Sequence, residues 1–298
     1  MVVIKIILNF AAAMDVNFKN LDPIKLCSQI RRDIVRMVHQ VQSGHPGGSL
    51  GCVEFFVSLF FEVMVHNPKN FTMEGHGEDM FFLSNGHITP VYYSTLARCG
   101  YFPIEELKTF RRIHSRLQGH PATLEGLPGI RVATGSLGQG LSVGIGAAQA
   151  KKLLMDPHTV FVLTGDGELN EGQIWEAFLY SAHHRVDNLF ITIDYNQQQI
   201  DGPTYEVMNL FDIHAKLRAF GLEVIECKQG NNYEAVKESL FLGKSLLGKG
   251  KPVVMIMHTT MGHGVSFMEG SHHWHGVAPN DEQLQIALSE NLETYGDF

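Results

Sequence analysis

No Cys-x-x-Cys pair occurs in this chain, and its four cysteines, Cys27, Cys52, Cys99 and Cys227, are scattered. That spacing excludes a zinc ribbon and offers no disulfide framework. It favours a reducing, cytoplasmic setting with the thiols buried as small hydrophobes. Basic charge is scarce as well. Lysine and arginine number 23 against 31 aspartates and glutamates, a net charge of −8, which is the wrong sign for a nucleic-acid-binding face. Long apolar runs are also missing. The amino-terminal stretch "MVVIKIILNFAAAM" is broken by Lys5, is too short to span a bilayer and has no basic segment before it. Neither a membrane span nor a signal peptide is expected. Residues 1–16 read as an extension of unknown role, an extra strand or a stretch ahead of the true start. Residues 17–298 read as a single domain.

With 44% hydrophobic and 18% charged residues in 298, there is ample apolar material for a core. Its arrangement alternates. "DPIKLCSQIRRDIVRMVHQVQSG" carries apolar residues at helical spacing, at Ile30, Ile34, Met37, Val38 and Val41, and stops at Gly44. A glycine-rich turn precedes a second apolar helix, "SLGCVEFFVSLFFEVM". "DMFFLSNGH" reads as a short buried strand with a polar exit, and "GQGLSVGIGAAQAKKLL" as a helix of small residues. "TVFVLT", "EGQIWEAFLYSAHHR" and "NLFITIDY" form strand, helix, strand; "LEVIECK", "NYEAVKESLFLGKSLL" and "PVVMIMHT" repeat the pattern. The expected fold class is α/β, a parallel sheet flanked by helices. No internal repeat, low-complexity tract or linker interrupts it.

In such sheets ligands bind beyond the carboxyl ends of the strands, and there the polar stops gather: "SNGH", "GDG", "DYNQQQIDG" and "TTMGHG". An aspartate between glycines is by itself ordinary turn chemistry. Paired with Asn196 one crossover later, Asp166 becomes a candidate. Adjacent parallel strand ends bring both side-chain oxygens within reach of one cation, and magnesium takes hard oxygen ligands while bridging to phosphates. Gly165 and Gly167 let backbone amides approach a phosphate at the start of a helix.

Other signals fail. "GKS" at Gly243 lacks the first P-loop glycine, since Glu238 occupies it. "GIGAAQ" lacks the third glycine of a dinucleotide fingerprint. "DGELNEG" has Glu171 where a calcium loop needs its turn glycine. His272, His273 and His275 lack zinc-ligand spacing.

The ordered set "SGHPGGSLG", "LSNGH", "QGHP", "ATGSLGQGL", "GDGELNEGQIWEA", "DYNQQQIDG" and "WHG", running from about Asp22 to about Gln283, resembles the amino-terminal portion of a transketolase. It is most similar to the split form, in which the enzyme is divided between two polypeptides. The resemblance implies a thiamine-diphosphate-binding fold and a chain carrying its diphosphate-binding domain. It implies magnesium held by Asp166, Asn196 and the main-chain oxygen of Gln198, with Gly165 and Gly167 beside the diphosphate. Gly135 and Leu137 would line the aminopyrimidine. His45, His87, His120 and His275 would surround the reacting carbons, with His87 and His275 also against the cofactor. Glu171 would sit at the interface between active sites.

The implied reaction transfers a two-carbon ketol unit from a ketose to an aldose, free or phosphorylated. The cofactor is the electron sink, and imidazoles carry protons near neutral pH. The implied partner is the carboxy-terminal subunit with the pyrimidine-binding domain, two copies of each chain making a heterotetramer. The helices "CVEFFVSLFFEVM" and "GQIWEAFLYSAHH" are the candidate interface. Two readings stay open beside it: a related thiamine-diphosphate enzyme, such as a deoxyxylulose-phosphate synthase or an unusual-sugar transketolase, and a non-catalytic cofactor-binding subunit. Ser136 and Gln197 depart from the proline and glycine usual in their loops. Met261 and His263 stand where split enzymes often carry lysines.

Overall fold

The computed structural model describes residues 21–298, so the amino-terminal extension at 1–16 lies outside the described residues. Helix α1 (Pro23–Val41) starts where Asp22 accepts hydrogen bonds from the Ile24 and Lys25 amides, with Pro23 at the first helical position. Ile30, Ile34, Met37 and Val38 form its fully buried stripe. It ends three residues short of Gly44, with Gln42 in the left-handed region.

The glycine-rich stretch expected to be a turn is helical: α2 spans Pro46–Gly51. Close packing explains this, because a Cβ on Gly47 would sit 2.7 Å from the Trp274 carbonyl oxygen, and one on Gly48 would sit 2.8 Å from Ile88. Bare backbone is needed against both neighbours. Helix α3 (Val53–Ser58) follows and widens into a π turn at Leu59–Val63. The expected single helix is therefore broken.

The sheet is five-stranded and wholly parallel. Its strands are β1 (Met80–Leu83), β2 (Val160–Gly165), β3 (Leu189–Tyr195), β6 (Glu223–Cys227) and β7 (Val253–His258). The order is β1-β2-β3-β7-β6, and a separate antiparallel ribbon pairs β4 (Gln198–Gln199) with β5 (Gly202–Pro203). Side chains alternate between faces. Phe81, Leu83, Phe161, Leu163, Phe190, Met255 and Met257 join one core; Phe82, Val160, Val162, Ile191, Ile193, Val254 and Ile256 join the other.

The first core is covered by α1, α3, α4 (Thr89–Arg98) and α9 (Tyr233–Leu246). The second is covered by α5 (Gln139–Leu153), α6 (Gly172–His183) and α8 (Ile213–Ala219). A one-turn helix, α7 (Thr204–Val207), lies between β5 and α8, and α10 (Asp281–Glu290) comes last. Because both faces are buried, the central strands read as continuous apolar runs.

The expected interface needs one correction. Val53, Phe55, Phe56, Val57, Leu59 and Phe60 are buried within this chain, so "CVEFFVSLFFEVM" is core, covered by the sheet and α1. Helix α6 does present apolar side chains outward: Leu179 is 61% exposed and Tyr180 45%. The carboxy-terminal tail folds back onto α1, where Arg32 makes a paired hydrogen bond to Asp297 at 2.7 and 2.8 Å. No helix of the described residues is long and apolar enough to cross a membrane.

Candidate functional site

At the carboxyl edge of the sheet a cavity of about 260 Å³ opens between the loops that follow the strands and the start of α2. Its wall includes His45, His87, His120, Gly135, Leu137, Gly165, Asp166, Gly167, Asn196, Gln198 and His275. Every residue expected to bind the cofactor, metal or substrate lines it; of the expected site residues, Glu171 alone lies outside. Glu171 is solvent-exposed at the start of α6.

The floor is acidic. Strand register sets Gly165 beside Asp194, so the loops after β2 and β3 leave the sheet together. Asp166 is buried, and its carboxylate accepts hydrogen bonds from the Gly167 amide (2.8 Å) and the Gln197 amide (2.5 Å). Gln197 adopts φ 59° to deliver that amide, which accounts for the glycine expected at its position. Asn196 donates to Asp194 Oδ2 at 2.8 Å, and its carbonyl oxygen accepts from the Gln198 amide at 2.9 Å. Asp194 is itself buried and accepts from the Thr259 hydroxyl.

Burial, followed by the charge of Asp194, pushes the Asp166 carboxyl well above the usual carboxylate range. Burial also raises Asp194. Two buried carboxylates with no lysine or arginine among the residues lining the cavity beside them make a place where a cation lowers the energy of both charges.

The roof is imidazole. The His45 ring lies 5.1 Å from that of His87, 6.3 Å from His120 and 5.4 Å from His275, and His87 lies 5.0 Å from His275. Burial, then the neighbouring His275, brings His45 down to about 4. His87, His120 and His275 are lowered too, burial being the largest cause in each. The lowering favours the uncharged form of each ring, the form that can accept a proton.

Some wall residues escaped the sequence reading. Asn85, Asp194, Gln199 and Ile200 all line the cavity, though each sits inside or beside a quoted motif. Glu168 is the most informative. Buried, it accepts from the Ser84 hydroxyl (2.6 Å), the Gly138 amide (2.7 Å) and the Gly165 amide (3.2 Å). One carboxylate thus ties together the loops after β1 and before α5 and the end of β2. Of the two unusual residues in the last loop, Met261 is buried on the cavity wall, whereas His263 pairs with Glu269 at 3.1 Å away from it.

This geometry, an acidic floor at the ends of adjacent parallel strands beneath a cluster of neutral histidines, defines a cofactor-dependent α/β enzyme class. Likeness to known proteins names the family. Residues 24–292 match the family described as transketolase, thiamine diphosphate binding domain. The chain is 40% identical over 267 residues to one subunit of an apulose-4-phosphate transketolase from Actinobacillus succinogenes, covering 89% of this chain and 94% of that one. It is 38% identical over 268 residues to one subunit of a 6-deoxy-6-sulfo-D-fructose transketolase from a Clostridium species, covering 90% and 94%. Among solved structures, a transketolase from Leishmania mexicana superposes with a TM-score of 0.84 at 32% identity, over 91% of this chain and 41% of that one. The chain belongs to the transketolase family, as a thiamine diphosphate binding domain.

The cavity suits such a cofactor. Asn85 Oδ1, Gln198 Oε1, Gln199 Nε2, His45 Nδ1 and His275 Nδ1 are buried without a hydrogen-bonding partner among the described residues. Buried polar atoms of this kind are normally satisfied, and a polar ligand between floor and roof would satisfy them. Gly135, at φ 133°, brings its backbone so close to His120 that a Cβ would lie 2.5 Å from the ring. That wall is shaped around backbone.

Proposed function

We propose that this chain is the diphosphate-binding half of a ketol-transferring enzyme, working with magnesium, thiamine diphosphate and a second polypeptide. The observation that carries it is buried Asp166 beside half-buried Asn196 on the floor of a cavity roofed by His45, His87, His120 and His275. Asp166, Asn196 and the main-chain oxygen of Gln198 would hold magnesium, hard oxygen donors for a hard ion. The Gly167 amide, with Gly165 beside it, would meet the diphosphate, and Gly135 and Leu137 the aminopyrimidine. When bound, thiamine diphosphate supplies the electron sink for breaking and making a carbon–carbon bond beside a carbonyl.

The protein's own share is orientation and proton traffic. Uncharged imidazoles at His45, His87, His120 and His275 can take a proton from a ketose hydroxyl and return one to an aldose oxygen. Their desolvated surroundings hold them neutral and ready to accept. Glu171, exposed at the start of α6, would meet a second chain rather than substrate in this one. The outward side chains Leu179 and Tyr180 on the same helix supply apolar area for an interface.

The substrates on this reading are a ketose donor and an aldose acceptor, free or phosphorylated. The assembly is two copies of each chain, residues 17–298 form one domain, and the setting is cytoplasmic, in keeping with four free, buried cysteines. A ketose donor, an aldose acceptor, magnesium and thiamine diphosphate are supplied to this chain by itself, to the carboxy-terminal half of a split transketolase by itself, and to the two mixed. Transfer by the mixture only is expected. Equal turnover by this chain without the other overturns the half-site reading.

A further inference from the structure

Outside the cofactor cavity, three side chains with metal-binding atoms converge from three separate elements. His214 lies on α8, Glu226 on β6 and His258 at the end of β7, and their ligand atoms all fall within 4.8 Å of one another. None of the three lines the cavity. We propose that His214, Glu226 and His258 form a second metal site, selective for a divalent transition ion of which zinc is the biological representative.

The distances support a site that needs little rearrangement. His258 Nε2 lies 2.8 Å and His214 Nε2 3.2 Å from the same Glu226 oxygen. In tetrahedral zinc sites, with ligand bonds of about 2.0–2.1 Å, neighbouring ligand atoms stand roughly 3.3–3.4 Å apart. Two edges of the triangle are close to that spacing already. The third closes by small rotations of half-exposed rings, since His214 and His258 side chains are 30% and 32% accessible.

The backbone beneath is firm at two of the three corners. His258 ends a central strand, and its carbonyl accepts from the Gly230 amide at 2.8 Å. Glu226 is held in register with Ile256 on the neighbouring strand. The Tyr195 ring packs edge-on against His258 at 5.2 Å, further limiting where that imidazole can turn.

The donor set decides the ion. Two imidazoles and one carboxylate suit zinc and its first-row neighbours, with an outward position left for water. Magnesium prefers all-oxygen surroundings and would favour the acidic floor of the cavity instead. The competing occupant is the Lys228 ammonium, 4.0 Å from the second Glu226 oxygen. At 80% side-chain exposure it is a weak, mobile partner. The two sites therefore have separate chemistry and can be loaded separately.

A metal here would pin α8 to the edge strand β6 and the inner strand β7. Thr259, the residue after His258, donates to Asp194 on the cavity floor, so the second site adjoins the first without sharing a ligand.

The test is zinc titration of the metal-stripped 298-residue chain, with magnesium in excess, followed by calorimetry. Wild type is expected to bind one more equivalent than the His214→Ala/His258→Ala double variant. Glu226→Gln, which keeps the side-chain shape, should weaken that equivalent by at least about tenfold. His45→Ala should retain it, which separates this site from zinc captured by the cavity histidines. Cobalt in place of zinc should give the visible spectrum of a tetrahedral nitrogen–oxygen site in wild type and His45→Ala but not in Glu226→Gln. Equal stoichiometry and affinity in wild type and Glu226→Gln, with matching circular dichroism before metal is added, would overturn the proposal.

Discussion

Asn196 donates its side-chain amide to Asp194, two residues earlier, across 2.8 Å. That bond decides which end of Asn196 is an amide and which an oxygen, and so aims the oxygen away from Asp194. Asp194→Ala removes the acceptor and frees the amide to flip. On the proposed role of Asn196 as a magnesium ligand, magnesium-dependent affinity for thiamine diphosphate is expected to fall about 10–100-fold, the usual loss when such a ligand's partner is removed. Titration calorimetry with magnesium present measures it. An unchanged affinity would mean that Asn196 is oriented by Gln198 alone.

Asp166 and Asp194 crowd two buried carboxylates together, a cost carried by the protein before any cation arrives. Asp166→Asn relieves the repulsion while keeping the shape. It also turns one of the two oxygens that accept the Gly167 and Gln197 amides into a donor, so the two effects oppose each other and the ligand-free variant should melt within a few degrees of wild type. The rise in melting temperature on adding magnesium and thiamine diphosphate should disappear. Scanning calorimetry with and without both ligands reads the two effects separately. A large fall in the ligand-free melting temperature would recast Asp166 as a structural residue.

His45→Ala and His275→Ala each remove one of two neighbouring rings in the cavity roof, 5.4 Å apart. Assayed with the carboxy-terminal half of the enzyme, each should lower turnover by about 10²–10⁴-fold, the range for positioned proton transfer. Cofactor affinity should move far less. Wild-type turnover in both variants would leave these imidazoles as loop residues.

Asp297 tests the tail. The hydrogen bond from Arg32 is the largest influence on its carboxyl and holds it below its ordinary value of 3.8. A carboxyl lowered by folding contributes stability that is fully present above its unfolded value and is lost as pH falls through the folded one. Asp297→Asn should therefore cost about 1.5 kcal/mol near neutral pH, at the lower end for hydrogen bonds to charged groups. The gap from wild type should close as the pH drops below about 4, the unfolded aspartate range. Urea melts at several pH values check it, and a gap that widens toward acid would refute the assignment.

The sheet was legible because burial on both faces turns Val160–Gly165 and Val253–His258 into unbroken apolar strands, each ended by a polar loop. The helix through Pro46–Gly51 was not. Its glycines signal a turn by propensity, and only the Trp274 carbonyl and Ile88 packed against them explain why the stretch coils instead. The segment after it reads as an interface because apolarity says that something covers a helix without saying what. Helix α10 left a readable sign, the reciprocal Asn280–Gln283 cap, which the hydrophobic pattern alone does not pick out. In the cavity, residues named by motif were easy to find. Glu168 was not, since its partners Ser84, Gly138 and Gly165 come from two loops and a strand end that only the fold assembles.

The position of β7 has a consequence for how the chain is made. It is the last strand in sequence among the described residues, yet it lies inside the sheet between β3 and β6. Until residues 253–258 have left the ribosome, β6 has no neighbour to pair with and β3 has a bare edge. His275, a wall of the cavity, emerges later still. Synthesis therefore carries a long nascent intermediate with open strand edges, and such edges invite pairing with other chains. Sheet closure and completion of the site both wait for the stretch that begins at residue 253.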